Sequence, residues 1–197
     1  MCIRDRFHHV RDYDTWKSVF DEHERVRRSH GALEHRVYRG LDNENRVIVH
    51  NDFPSEDAAR AFIADPSLPA AMDRAGVTDE PWLGLIERLE QKRYTDDTVG
   101  VTVAVHHKVR DYEAWKPVFD GHEDVRRSYG QIEHRVYRAI GDPLALVVHN
   151  DFPNAEAAEA FGNDPSLPDA MARGGVEGET GIGVITRAER KAYTSDS

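Results

Sequence analysis

Three histidines in each half of the chain combine a residue type and a spacing that suit acid–base or metal chemistry. At a constant offset of 99 residues, the two sets are His8, His23, His35 and His107, His122, His134. A histidine titrates near neutral pH and can transfer protons, and its neutral imidazole binds metals. We predict His23 and His35, with His122 and His134, as catalytic residues. A transition-metal site (Fe, Cu or Zn) formed by all three histidines of each set stays open, as does a structural role.

Aromatic and amide side chains should complete a pocket around these histidines. Trp16, Phe20 and His23 are three and four residues apart, so they share one face of a predicted helix. Asn51 lies on a predicted strand and Phe62 on a second predicted helix. We therefore predict a small-molecule site between sheet and helices in each repeat. Its substrate-binding residues are Trp16, Phe20, Asn51, Phe62, Trp115, Phe119, Asn150 and Phe161.

The opposite face of the strands carries a polar cluster with two open interpretations. Its members are Arg36, Tyr38, His50, Asp52, Arg135, Tyr137, His149 and Asp151. An isolated buried charge is costly, so the first interpretation is a structural network of ion pairs such as Arg36–Asp52 and Glu34–Arg135 that fixes how the two sheets dock. A polar cavity with His50 or Asp52 as the base is the second.

Composition excludes several classes of protein. The 197-residue chain has a formal net charge of −10, which argues against nucleic acid as a partner. No apolar run approaches the roughly 20 residues of a membrane helix. Cys2 is the only cysteine, so we expect no intrachain disulfide and a cytoplasmic protein. No glycine-rich strand-to-helix turn is present, so we expect no nucleotide cofactor.

The repeat determines the elements that must position these residues. Each copy predicts the order β-α-β-β-α-β, which is the ferredoxin-like motif of the α+β class. We place the copies at 1–95 and 101–197, with a linker at 96–100, and we interpret residues 1–6 as non-native. A ferredoxin-like sheet has one bare face, so the two antiparallel sheets should pack into one pseudo-dimeric α/β barrel. The chain would then be a monomeric pseudo-dimer or a homodimer of it.

Local signals predict where individual elements begin and end. Asp12 or Asp14 should start a helix that runs to about His30 and ends at Gly31. Ser55 should cap a second helix. The remaining predicted elements are a short helix at 70–75 and strands at 33–39, 47–53, 82–90 and 101–109.

Four segments resemble a known group of small bacterial dimeric α/β-barrel proteins. They are 12–17, 37–39, 62–66 and 71–77. The group is that of antibiotic-biosynthesis monooxygenases and polyketide-cyclase-like proteins, and haem-binding chlorite-dismutase-like proteins are tandem members of its superfamily. The resemblance implies cofactor-independent oxygenation or cyclisation of an aromatic or polyketide-like molecule, and it carries over no catalytic residue. A non-catalytic barrel that binds a small ligand or a metal is the alternative.

Overall fold

The structure, a computed structural model, describes residues 2–5, 8–79 and 83–193. The chain forms two compact units. The first unit combines residues 1–86 with 187–197, and the second unit comprises residues 87–186. Both are α+β, and the tandem ferredoxin-like fold class is confirmed. The boundaries at 95 and 101, and the interpretation of residues 1–6, describe the sequence repeat and stay predictions.

The first repeat contains five strands and four helices in its described part. They are β1 (Cys2–Asp5), β2 (His8–His9), α1 (Tyr13–Glu22), α2 (Glu24–Ser29), β3 (Glu34–Gly40), β4 (Arg46–Asp52), α3 (Glu56–Ile63), α4 (Ser67–Arg74) and β5 (Leu83–Arg93). The second repeat contributes β6 (Val101–Val109), α5 (Tyr112–Gly121), α6 (Glu123–Ser128), β7 (Glu133–Ala139), β8 (Asp142–Phe152), α7 (Ala155–Gly162), α8 (Leu167–Arg173) and β9 (Val176–Ala192).

Antiparallel pairing gives each unit the ferredoxin-like strand order. In the first unit β4 pairs with β3 on one side and with β1 and β2 on the other, and β1 also pairs with β5. In the second unit β8 lies between β6 and β7, and β6 pairs with β9. The register sets His35 opposite Asn51 and His8 opposite Val47.

The last strand of each repeat, β5 or β9, contributes residues to both units. The end of β9, from Arg187 onward, belongs to the first unit, where β9 neighbours β3. The amide of Tyr193 donates to the carbonyl of Leu33 at 2.8 Å. In the second unit the amide of Tyr94 donates to the carbonyl of Ile132 at the same distance. Each unit therefore gains residues from the end of the last strand of the other repeat.

Most helix limits follow the predicted capping signals. Asp12 and Ser55 accept the predicted amide hydrogen bonds at the starts of α1 and α3, and Gly31 has a φ of 82° where α2 ends. The prediction of one helix to about His30 was wrong, because the helix breaks at His23 into α1 and α2. The short helix α4 begins earlier than predicted, since Pro69 in a first turn sacrifices no helical hydrogen bond.

The core of each unit lies between the helices and the valine-bearing face of the sheet. Val37, Val47 and Val49 pack with Trp16 in the first unit. Val136, Leu146 and Val148 do the same with Trp115 in the second. Helices and sheet thus enclose the region in which the sequence predicts a pocket. In the described ranges, no helix is both long and apolar enough to cross a membrane.

Candidate functional site

Each unit contains a cavity between its sheet and its helices. The first cavity has a volume of about 80 Å³, which leaves room for more than a single water. Its wall is mainly apolar, and it includes Trp16, Phe20 and Phe62 as predicted. The polar side chains that line it are His8, His23, Arg27 and Asn51.

The second cavity is built from the corresponding residues and is larger. Its volume is about 140 Å³. The predicted substrate-binding residues Trp115, Phe119, Asn150 and Phe161 all line it. Its polar side chains are His107, His122, Arg126 and Asn150. The structure thus brings every predicted substrate-binding residue to one of two repeated cavities.

The hydrogen bonds of His23 determine which of its ring nitrogens is basic. The Ser67 hydroxyl donates to Asp65 at 2.5 Å and lies 3.0 Å from Nε2 of His23. Because the hydroxyl has one proton, Nε2 must donate to it, which leaves Nδ1 as the basic nitrogen. Burial lowers the pKa of His23, so the ring is neutral at pH 7.

The second unit repeats this arrangement around His122. Its Nε2 lies 2.8 Å from the Ser166 hydroxyl, which in turn donates to Asp164. Burial also lowers the pKa of His122. In both units the aspartate orients the serine rather than the histidine, so the order differs from that of a nucleophilic triad.

His35 lies behind the cavity wall rather than in it. Its ring packs edge-on against Phe20 and is fully buried. Its Nδ1 is 2.6 Å from the Tyr193 hydroxyl, and its Nε2 bonds to Glu189. Lys17 bonds the other oxygen of Glu189 at 2.8 Å. His35 therefore has both nitrogens occupied and does not reach a ligand directly.

The pKa shifts of His35 and Glu189 indicate which group donates in each of these hydrogen bonds. Burial lowers the pKa of His35, although Glu189 opposes the shift. Burial alone would raise the pKa of Glu189, but hydrogen bonds from Lys17 and His35 bring it below its usual value. A neutral His35 beside an ionised Glu189 donates from Nε2 and accepts at Nδ1 from the Tyr193 hydroxyl. In the second unit, Tyr94 and Glu90 bond His134 in the same way, at 2.8 and 2.7 Å.

Arg27 is the cavity residue that the sequence analysis missed. It is only 1% exposed, although it lies in the charged last turn of α2. Nε donates to the Tyr193 hydroxyl at 3.0 Å and Nη1 to the carbonyl of Phe20 at 2.6 Å. Nη2 is buried and has no hydrogen-bond partner among the described residues. The helical spacing that links Phe20 and His23 continues to residue 27, and this periodicity was the available signal.

Arg126 occupies the same place in the second unit, where it hydrogen-bonds Tyr94 and has Gln131 as an additional partner. Its Nη1 donates to the carbonyl of Phe119 at 2.7 Å, and Nη2 is again buried without a described partner. Its Nε donates to the side chain of Gln131 at 3.2 Å. Gln131 in turn donates to Oδ1 of Asn150 at 2.7 Å. Each cavity is thus lined by a buried arginine whose Nη2 has no hydrogen-bond partner among the described residues.

The predicted metal site does not fit this arrangement. In the described ranges, no group of three or more His, Cys, Asp or Glu side chains is placed to hold a metal. The register explains why, since His8 is opposite Val47, four residues along β4 from Asn51, and His35 lies outside the cavity. Both cavities are also too small for a haem. No chemical step is assigned to a metal or a haem.

The opposite face of the strands forms ion pairs within each unit. Arg36 donates to both oxygens of Asp52 at 2.6 and 2.7 Å, and Arg135 bonds Asp151 in the same bidentate way. His50 packs edge-on against Tyr38, and His149 against Tyr137, with ring centroids 5.4 Å apart in both pairs. Burial raises the pKa of Asp151 despite its arginine partner. The Arg36–Asp52 pair is present, whereas Glu34 pairs with Arg36 and Arg190, and both interpretations of the cluster stay predictions.

Comparison with known proteins places the fold. No family model and no curated protein sequence matches this chain. An anthrone oxidase-like protein superposes with a TM-score of 0.73 at 13% identity, covering 97% of this chain and 92% of its own. A ferredoxin-fold protein from Listeria monocytogenes, related to antibiotic biosynthesis monooxygenases, gives 0.55 at 6% identity and covers 96% of both chains. A major regulator of staphylococcal pathogenesis gives 0.56 at 9%, covering 96% of this chain and 100% of its own.

These similarities confirm the predicted resemblance at the level of the fold. Sequence identity is too low for any of them to pass on a reaction or a ligand. The neighbours include monooxygenase-like proteins and a regulator, so the fold is used both by enzyme-like proteins and by a protein with a different task. Function has to be argued from the cavity itself.

Proposed function

We propose that the chain is a small-molecule enzyme that binds an enolisable aromatic or polyketide-like compound in each cavity. One observation carries the proposal: Nη2 of Arg27, and likewise of Arg126, is buried and unpaired among the described residues, in an apolar cavity. A buried N–H without a partner is costly, and a ligand oxygen that develops negative charge would satisfy it. We also propose a cytoplasmic protein that works as a monomeric pseudo-dimer or a homodimer of it.

The residues of the cavity would have separate roles in ligand binding, enolate stabilisation and proton transfer. Trp16, Phe20 and Phe62 hold the apolar body of the ligand. Arg27 binds the carbonyl oxygen and stabilises the enolate that forms when a neighbouring C–H loses its proton. His23, neutral and with Nδ1 unprotonated, accepts that proton. His122 and Arg126 take the same roles in the second unit.

His35 and His134 would act as positioning residues rather than as groups that touch the substrate. The Tyr193 hydroxyl joins His35 to Nε of Arg27, and Glu189 fixes the tautomer of His35. Such a chain of hydrogen bonds keeps the guanidinium in one orientation. This moves the predicted role of His35 from catalysis to support of Arg27.

The enolate formed in this way can follow either reaction class that the resemblance implies. In an oxygenation, a CH₂ group and one O₂ give a C=O group and one water, so O₂ is the oxidant. In a cyclisation, the enolate carbon forms a new C–C bond to a carbonyl carbon of the same molecule, and the C=O π bond opens to an alkoxide that takes up the proton held by His23. Both begin with the same proton transfer, which can therefore be tested before the later steps are known.

The test is exchange of the acidic C–H protons of 2-tetralone for deuterium in D₂O, followed by NMR. We expect wild-type protein to accelerate exchange above buffer. The double variants His23→Gln/His122→Gln and Arg27→Met/Arg126→Met should each lower the rate at least about tenfold, since general bases and oxyanion donors contribute on this scale. His9→Gln, which changes an exposed histidine outside the cavities, is the matched control.

The same experiment separates the non-catalytic alternative, which the fold of the staphylococcal regulator keeps open. Binding of the ketone with no acceleration of exchange would favour a binding protein. Exchange that survives loss of both cavity histidines would contradict the assigned base. No binding and no exchange would contradict the proposed function as a whole.

A further inference from the structure

The two cavities differ in the hydrogen-bonding state of their asparagines. Asn51 lines the first cavity, is 6% exposed, and its Oδ1 accepts no hydrogen bond from the described residues. Asn150 lines the second cavity and is 4% exposed, but its Oδ1 accepts from Gln131 at 2.7 Å. The side-chain oxygens of these equivalent residues therefore differ, because Oδ1 of Asn51 has no described donor and Oδ1 of Asn150 has one.

One substitution between the repeats accounts for the difference. Gln131 corresponds to Ala32 at the repeat offset, and both are buried where the helix ends and the next strand begins. The glutamine joins Nε of Arg126 to Asn150. Alanine has no polar atom to do this, so Nε of Arg27 instead donates to Tyr193, and Asn51 keeps its oxygen unpaired.

We propose that the first cavity selects a ligand that carries a hydroxyl or N–H donor in addition to its anionic oxygen, and that the second cavity does not require this donor. The inference rests on the proposed function, because Arg27 and Arg126 bind the anionic oxygen in both. Asn51 would accept the hydrogen bond of the donor. Gln131 is a positioning residue that removes this selectivity by occupying Asn150.

The physical argument is the asymmetry of buried hydrogen bonds. A ligand without a donor leaves Oδ1 of Asn51 both buried and unpaired, whereas a ligand with a donor satisfies it. A site with a buried polar group therefore rejects the analogue that lacks the matching group. In the second cavity Oδ1 of Asn150 is already paired with Gln131, so a ligand without a donor leaves no asparagine oxygen unpaired there. The larger volume, about 140 against 80 Å³, also makes the second cavity the more permissive one.

The test compares benzoate with 3-hydroxybenzoate and 4-hydroxybenzoate on the full chain. The carboxylate stands in for the anionic oxygen, and the hydroxyl supplies the donor. The indole N–H signals of Trp16 and Trp115 in ¹⁵N NMR report on the two cavities separately, and single Trp→Phe variants assign them. At the Trp16 signal we expect at least one hydroxybenzoate to bind about three- to tenfold more tightly than benzoate. At the Trp115 signal we expect equal affinities.

Exchanging the two residues provides matched variants. Gln131→Ala should create the preference at the Trp115 signal and leave the Trp16 signal unchanged. Ala32→Gln should abolish the preference at the Trp16 signal only. The comparison of benzoate with the hydroxybenzoates on the wild-type protein tests the proposal even if one variant does not fold.

The possible results separate the two proposals. The same hydroxybenzoate-to-benzoate ratio at both signals, with both compounds bound, would overturn the inference and leave the proposed function intact. Binding of neither anion at either signal would overturn both. A preference that appears in the second cavity of the wild-type protein instead of the first would also contradict the role given to Asn51.

Discussion

The guanidinium of Arg27 shows how a single buried cation can define a site. Phe20 lies under it with 3.7 Å from Cζ to the ring centroid, and two of its nitrogens already have protein acceptors. Nη2 is the nitrogen without a described partner, so the arginine can donate to a ligand oxygen from that position. Lysine could not replace it, because a single ammonium cannot keep two fixed protein contacts and present a third donor in the same plane.

The buried side chain of His107 should make the free energy of unfolding depend on pH. Burial lowers its pKa from 6.5 to about 4, and its two ring nitrogens have no hydrogen-bond partner among the described residues. The unfolded chain therefore binds a proton that the folded chain rejects. Stability from this residue is complete above pH 6.5 and is lost as the pH falls toward 4, on the order of 3 kcal/mol in all.

We expect His107→Leu to reduce this acid sensitivity. The free energy of unfolding, measured by urea titration between pH 7 and pH 4, should fall less steeply in the variant than in wild type. His106→Gln, which changes the preceding and less buried histidine, should keep the wild-type slope. Parallel slopes for wild type and His107→Leu would contradict the assigned pKa shift.

At the scale of elements, local signals predicted the fold well and the site only in part. Capping residues such as Asp12 and Ser55, and the valine alternation of the strands, depend on neighbours a few residues away, so they can be read from the sequence. The same helical stripe predicted the cavity wall. Glu189 and Tyr193 could not be predicted as partners of His35, because they are more than 150 residues away and no local pattern encodes that return.

The end of β9 should therefore support only the first cavity. We expect Glu189→Gln/Tyr193→Phe to weaken benzoate binding at the Trp16 signal about three- to tenfold, since Arg27 loses its anchored acceptor. The Trp115 signal should not change. Glu90→Gln/Tyr94→Phe is the matched control and should give the opposite pattern, because Tyr94 hydrogen-bonds Arg126 in the second unit. Equal losses at both signals in either variant would show that these strand ends act through general stability instead.

For the whole molecule, the division into units shows that a repeat is not a self-sufficient domain. Residues 187–193 belong to the first unit, although they lie at the end of the second repeat. Residues 87–93, which the second unit needs, precede its repeat in the chain. A single repeat therefore lacks the strand end that its unit takes from the other repeat. Its own strand end belongs to the other unit.

We therefore expect the fragment 99–197 to form a dimer in which each copy supplies its strand end to the other. Light scattering at micromolar concentration should give twice the mass of the fragment. Adding a peptide that spans residues 83–95 should compete with the exchange and increase the monomer fraction. A folded monomer without the peptide would contradict this view of the repeat.

The contribution of β9 to the first unit also affects how the protein is made. Translation proceeds from the amino terminus, and domains usually begin to fold as they emerge from the ribosome. The first unit cannot finish in this way, since Glu189 and Tyr193 are synthesised about a hundred residues after the rest of it. The second unit, whose residues are contiguous, can therefore finish folding before the first unit.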